Sequence, residues 1–211
     1  MKPPLLTIAS TLAIIASVHG ELVSNGDFKE QPPGTTVQLL VPDGGVDTMT
    51  FPDWRLYSDP VAGTPVAAAF TATAVGDAAA GTTAIRLDVD NTNSAPENWG
   101  MDNSNAKIPV ESGKDYSLSF DAALVSGNLT GNHDLLVVVD EWDSDSKWLA
   151  GTYIGFPIVE KSSQPFSIPK WTPKNPDTVQ ISILFRPRVA NGEAASMTLT
   201  NIRFGISDPK Y

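Results

Sequence analysis

An all-β domain, a β-sandwich jelly roll of two antiparallel sheets, is the fold the sequence predicts, on three observations. Short runs of β-branched and aromatic residues recur along the chain, several of them alternating apolar and polar with a period of two. Turn signals separate these runs at regular intervals. No stretch carries sustained helical periodicity with caps at its ends. Regular strands and turns within one domain point to two packed antiparallel sheets.

The first 20 residues stand apart from that pattern. Met1 and Lys2 give a positive start, Leu5 to Val18 is apolar and uncharged, and Val18-His19-Gly20 offers compact residues at a cleavage site. Residues 1–20 are therefore expected to be a signal peptide, cut after Gly20. The apolar run is shorter than the roughly 20 residues a membrane helix needs, so no membrane span is expected. Residues 21–211 then form a single domain, expected to be secreted and to act as a monomer.

Strands are predicted at Thr48 to Tyr57, Pro65 to Val75, Thr82 to Val89, Asp115 to Leu124, Asp134 to Trp142, Thr178 to Arg186 and Ser196 to Phe204. Between them lie Pro42-Asp43-Gly44-Gly45, Ala80-Gly81, Ser112-Gly113-Lys114, Gly127-Asn128, Asp143-Ser144-Asp145 and Asn191-Gly192. Alternation assigns the faces. Tyr116, Leu118, Phe120 and Ala122 should be core, opposed by Ser117, Ser119 and Asp121. Ile85, Leu87 and Val89 oppose Arg86 and Asp88, while Val179, Ile181, Ile183 and Phe185 oppose Gln180, Ser182, Leu184 and Arg186. Each polar side is either solvated surface or the lining of a cleft.

Composition narrows the partners. The chain has no cysteine, so an exported domain of this kind must be stabilised by its core rather than by disulfides. It has 24 acidic residues against 14 basic ones, a formal net charge of −10. Long-range repulsion argues against nucleic acid, and a strongly sulfated glycan would need a local basic patch. The two histidines, His19 and His133, leave little for a zinc site or a nucleophilic triad.

Three segments carry a family resemblance. The opening Leu22-Val23-Ser24-Asn25-Gly26-Asp27-Phe28 followed by Trp54, the segment Val110-Glu111-Ser112-Gly113-Lys114-Asp115-Tyr116-Ser117-Leu118-Ser119-Phe120, and the closing Met197-Thr198-Leu199-Thr200-Asn201-Ile202 resemble carbohydrate-binding modules of families four, nine and twenty-two. The resemblance implies a galactose-binding-like jelly roll, polysaccharide ligands such as xylan or β-glucan, and a cleft on one concave sheet. It implies that Trp54 is a packing aromatic. It also implies a structural calcium near the chain ends, but Lys29 stands where the family has a glutamate and Asn201 where it has an acidic residue. Replacing carboxylates by an ammonium and an amide weakens a calcium site severely, so no cofactor is expected.

Sugar recognition needs flat apolar surfaces for ring faces and planar polar groups for hydroxyls, since each buried hydroxyl must find a partner. Trp99, among amides in Glu97-Asn98-Trp99-Gly100-Met101-Asp102-Asn103, and Trp142, on the face of Asp140, are the candidate aromatics. Arg86, Asp88, Asn103, Asp121, Asp140, Gln180 and Arg186 are the candidate polar partners, provided that the strands ending near Asp88, Asp121, Asp140 and Arg186 share one sheet. Trp148 and Trp171 are expected to be edge or loop packing.

Two other classes remain open at this level. A small glycoside hydrolase or lyase would use paired carboxylates, about 5 Å apart for retention or about 6.5–9.5 Å for inversion. Asp140 and Glu141 cannot be that pair, because adjacent strand residues face opposite ways. Asp88, Asp121 and Asp140 meeting across strands would be the alternative, and pairing with Arg86 and Arg186 the competing explanation for them. A structural or adhesive module would present a flat apolar patch to protein. The binding reading predicts no enzymatic activity.

Overall fold

The computed structural model describes residues 21–30, 32–40, 50–58, 69–77, 82–92, 99–130 and 134–207. The signal-peptide segment and His133 lie outside them, as do the side chains of Val37–Leu40, Thr50, Phe51, Tyr57, Ser58, Ala69, Asp77, Thr82 and Trp99. In chain order the strands are β1 (Thr36–Leu40), β2 (Thr50–Phe51), β3 (Trp54–Ser58), β4 (Ala69–Asp77), β5 (Thr82–Asp90) and β6 (Trp99–Asp102). They continue with β7 (Ile108–Pro109), β8 (Tyr116–Gly127), β9 (Leu135–Trp142), β10 (Trp148–Phe156), β11 (Gln164–Trp171), β12 (Gln180–Pro187) and β13 (Ala194–Ile206). All pairings among the described residues are antiparallel.

They form two sheets. The back sheet runs β1-β4-β5-β13-β8-β11, and the front sheet runs β10-β9-β12-β6-β3-β2, with β7 also pairing with β12. The protein is a β-sandwich jelly roll. Its core lies between the sheets, where Phe28, Trp54, Phe70, Phe120, Phe185 and Phe204 are all buried. Trp54 is fully buried, with Phe28 at 5.7 Å and Phe185 at 6.0 Å between ring centroids, and its indole N–H donates to the Asn25 carbonyl. That is the packing role expected of it. Trp171 also packs in the core against Tyr116 and Phe204.

The predicted alternation holds along β5, β8 and most of β12. Ile85, Leu87 and Val89 are buried, as are Tyr116, Leu118, Phe120 and Ala122. Val179 departs from it and is 45% exposed, because it lies one residue before β12 begins. The predicted strand at 48–57 is broken into β2 and β3 by Pro52-Asp53, where Asp53 turns the chain with a φ of 65°. Strands β1, β6, β7, β10 and β11 are additions to the predicted set. Of these, β1, β10 and β11 each lie at an end of a sheet.

Candidate functional site

The two sheets divide the residues selected from sequence. Arg86 and Asp88 lie on β5 and Asp121 on β8, all on the back sheet. Trp99 begins β6, Asn103 follows it, Asp140 and Trp142 lie on β9, and Gln180 and Arg186 lie on β12, all belonging to the front sheet. The single sheet expected to carry Asp88, Asp121, Asp140 and Arg186 together is therefore corrected. Alternation within a strand fixes a residue's face but not the sheet to which the strand belongs.

On the back sheet the polar groups satisfy one another. Arg86 Nε sits 2.8 Å from Asp88 Oδ2, Ser196 Oγ donates to Asp88 Oδ1, and Asn201 Nδ2 donates to Asp121 Oδ2 at 2.6 Å. This is the Arg86 pairing weighed against catalysis, and it leaves Asp88 and Asp121 a whole sandwich away from Asp140. Asn103 is corrected too. It is 2% exposed, its Oδ1 accepts from the Ile183 N–H at 2.6 Å, and its own N–H donates to the Ile183 carbonyl. Its amide thus extends the join between β6 and β12 from a buried position.

The outer face of the front sheet is built differently. On β9, Leu135, Val137 and Val139 point into the core, so Leu136, Val138, Asp140 and Trp142 take the outer side. On β12, Ile181, Ile183 and Phe185 are core, and Gln180, Ser182, Leu184 and Arg186 are outer. Yet Val138 and Leu184 are buried on that outer side, at 1% and 4% exposure, which makes them an apolar floor beneath the surrounding side chains. Register places Tyr153 of β10 beside Val138, Gly151 beside Asp140, and Trp148 opposite Trp142.

Around Asp140 this register builds a compact arrangement. Trp148 Nε1 donates to Asp140 Oδ1 at 2.8 Å. A β-carbon placed on Gly151 would stand 3.0 Å from that same oxygen and 3.0 Å from Tyr153 Cε2, so the glycine leaves the space into which both side chains lean. Trp148 and Tyr153 remain open, at 49% and 60% exposure. Trp142 Nε1 donates to Ser182 Oγ at 3.0 Å, and the Lys107 ammonium lies 4.7 Å from its ring centroid. Gln180 Nε2 donates to the Asp143 carbonyl and Ser146 Oγ, which ties down the β9–β10 turn.

Electrostatics single out one carboxylate on this face. Burial pushes Asp140 above the usual carboxylate value and the charge of Asp102 adds to that, while the Trp148 hydrogen bond and the charge of Arg186 oppose it. Asp102 is held by two hydrogen bonds from Arg55, at 2.8 and 3.2 Å. Glu141 points the other way, as adjacency requires. Fully buried, it accepts hydrogen bonds from the Lys174 and Asn175 N–H groups and the Thr178 hydroxyl.

Trp148 and Tyr153 were not selected from the sequence; Trp148 does lie on an edge strand, as expected, but is half exposed rather than packed. Strand β10 contains Gly151 and Gly155, shows no clean alternation, and reads as a loop. The available signal was the spacing of Trp148 and Tyr153 about a glycine, immediately after a turn that reverses the chain beside Trp142.

The chain-end region does not fit a calcium ion. Lys29 Nζ lies 2.8 Å from Asp27 Oδ2, Asn25 Oδ1 accepts from the Glu30 N–H, and the Asn201 amide is turned toward Asp121. Glu21 is committed to the Phe204 N–H and to Arg203. A cavity of about 240 Å³ opens there, lined by Glu21, Asn25, Asp27, Asn201 and Arg203, but calcium needs six to eight oxygens carrying net negative charge. Among the described residues no cluster of three or more metal-ligating side chains occurs.

Neither a protein-family model nor a curated protein sequence matches the chain. Solved structures do match it. An apo-form cyclase from Fischerella sp. aligns with a TM-score of 0.50 and 17% identity over 87% of this chain and 94% of that one. A structure described as a family 4 carbohydrate-binding module aligns with a TM-score of 0.48 and 13% identity over 87% and 98%. The enzymatically active domain of tailspike protein 4 from bacteriophage CBA120 aligns at 0.46 and 12% identity, over 88% of this chain, which spans only 21% of that one. At such identities the likeness shows the sandwich fold alone, and the fold serves unrelated chemistries.

Proposed function

We propose that this protein is a secreted, non-catalytic carbohydrate-binding protein that takes a polysaccharide or oligosaccharide in a cleft on the outer face of the front sheet. One observation carries the reading. Trp148 and Tyr153 stand exposed beside half-buried Asp140, next to the buried floor of Val138 and Leu184. Open aromatic rings supply the flat apolar surface a sugar ring stacks on, and a carboxylate among them accepts its hydroxyls. Two exposed aromatics beside one carboxylate fit a small polar ligand better than a flat protein interface.

In this reading Trp148, Tyr153, Asp140 and Trp142 line the cleft, with Arg186 at its side and Gln180 holding the adjoining turn. The side chain of Trp99 lies outside the described residues, and only its strand, β6, belongs to the same sheet. Arg86, Asp88, Asn103 and Asp121 drop out of the site. Catalysis is disfavoured because Asp102, the second carboxylate acting on Asp140, is itself occupied by Arg55 and by the Ser104 N–H.

The test is an affinity-gel panel of soluble and insoluble polysaccharides with the purified protein. Trp148→Ala and Tyr153→Ala should each weaken retention by about tenfold, since an aromatic stacking platform contributes about 1–3 kcal/mol and about 1.4 kcal/mol is one decade. Neither should lower the melting temperature appreciably, whereas Trp54→Ala should cost about 3–5 kcal/mol of stability. Wild-type retention by both cleft variants on a confirmed ligand would move the site elsewhere. Release of reducing ends that vanishes in Asp140→Asn would overturn the non-catalytic reading.

A further inference from the structure

Resting on the carbohydrate-binding reading, we infer that the cleft selects sugars carrying a free, protonated amine, such as glucosamine units of a deacetylated amino-sugar polymer, over neutral sugars. Three aromatic side chains and one carboxylate share this face, the groups from which an ammonium site is built. Trp148 and Tyr153 stand open on the same side of the sheet, with Trp142 opposite Trp148. Asp140 lies in their midst, its Oδ1 fixed by Trp148 and close to the point above Gly151 that the Tyr153 ring also approaches. Aromatic faces attract a cation through their quadrupole, and a carboxylate between them supplies the counter-charge.

Two further observations favour a cation over a neutral hydroxyl. The first is that the carboxylate has no ion-pair partner among the described residues. Burial raises its pKa against the Trp148 hydrogen bond and the charge of Arg186, the charge of Asp102 adds repulsion, and Arg186 lies near it without closing an ion pair with it. A half-buried anion in that state is stabilised by an arriving cation more than by a hydroxyl. The second is that the protein already seats one ammonium on this face, that of Lys107 over the Trp142 ring. Two other cations near the cleft are engaged, Arg55 with Asp102 and Lys174 at the carbonyl of Gly151 on the outer edge of β10. The chain's net charge of −10 adds long-range attraction of the same sign.

That same net charge would make an acidic protein adhere to any polycation, so the test uses short probes at physiological ionic strength, where long-range attraction is screened. Intrinsic tryptophan fluorescence would be titrated with a glucosamine tetramer, its fully N-acetylated counterpart, a neutral glucose tetramer and trilysine. The glucosamine tetramer should bind at least tenfold more tightly than the acetylated and neutral forms. Asp140→Asn should abolish that preference, while Asp145→Asn, which removes an equal charge from the exposed β9–β10 turn, should preserve it. Equal or tighter binding of a neutral tetramer overturns the amine preference while leaving the carbohydrate reading intact. Trilysine binding as tight as the amino sugar overturns sugar selection in favour of a basic peptide. If no tetramer binds and the polysaccharide panel is also blank, the carbohydrate reading itself fails.

Discussion

Asp140 is held where its charge works against the fold. Its folded-state pKa lies above the unfolded value because burial penalises the anion, so the native state binds the proton more tightly than the unfolded chain. The linked stability is therefore present at acid pH and lost as pH rises through the carboxylate range. Asp27, Asp90 and Asp115 run oppositely. They are held below the usual value by Lys29, by Thr92, and by Thr172 with Lys170, so their contribution is present above the unfolded carboxylate value and lost as pH falls. Asp140→Asn keeps an oxygen for the Trp148 N–H and removes the buried charge. It should raise the melting temperature near neutral pH by roughly 1–3 °C, the response of a domain this size to under 1 kcal/mol, and the gain should shrink toward acid pH. A melting temperature that falls at neutral pH would mean the charge is compensated. Asp140 and Trp142 were legible in the sequence as a shared strand face beside a turn. Trp148 and Tyr153 were not, because exposure on an edge strand leaves no apolar periodicity to read.

At the scale of elements, the long strands with one core face were legible, while the four-residue β6 and the edge strands β10 and β11 were not. Strand β11 contains Pro165 and Pro169, which a central strand excludes and an edge tolerates, so its pattern is broken where its backbone needs fewest partners. The sheet to which each strand belongs was equally hidden, since β5 and β9 both alternate cleanly yet lie on opposite sheets. Glu141 shows how the loop from β11 to β12 is held against the front sheet. It satisfies two backbone N–H groups and a hydroxyl from inside the sandwich, leaving the Lys174 side chain at the edge of β10. Glu141→Ala strands those donors and should cost about 2–4 kcal/mol in urea unfolding, while Glu141→Gln, which retains an acceptor, should cost less. Equal losses in the two variants would assign the effect to packing rather than to hydrogen bonding.

For the whole molecule, the question is what joins the chain ends of a cysteine-free sandwich with a net charge of −10. Gly26 answers part of it. Its carbonyl accepts from the Ile202 N–H, and a β-carbon there would stand 2.0 Å from the Ile202 carbonyl oxygen, so only glycine permits the approach. The Leu22 N–H donates to the Phe204 carbonyl and Glu21 takes the Phe204 N–H, closing the first segment onto the last strand. Lys29 then supplies, against Asp27, a fixed positive charge in the region where the resembled modules hold calcium. That ion pair is well exposed, so it contributes at most about 1 kcal/mol and serves mainly to neutralise the acidic oxygens. Added calcium should therefore leave the melting temperature of the wild type unchanged, by the same measure as added magnesium. Lys29→Glu restores a carboxylate and removes the competing ammonium, and it should lower stability in chelator and recover it on adding calcium, because binding to the native state alone raises its stability. A calcium-dependent rise in the wild type would show that the oxygens of Asn25, Asp27 and Glu21 can be released to an ion despite their present partners.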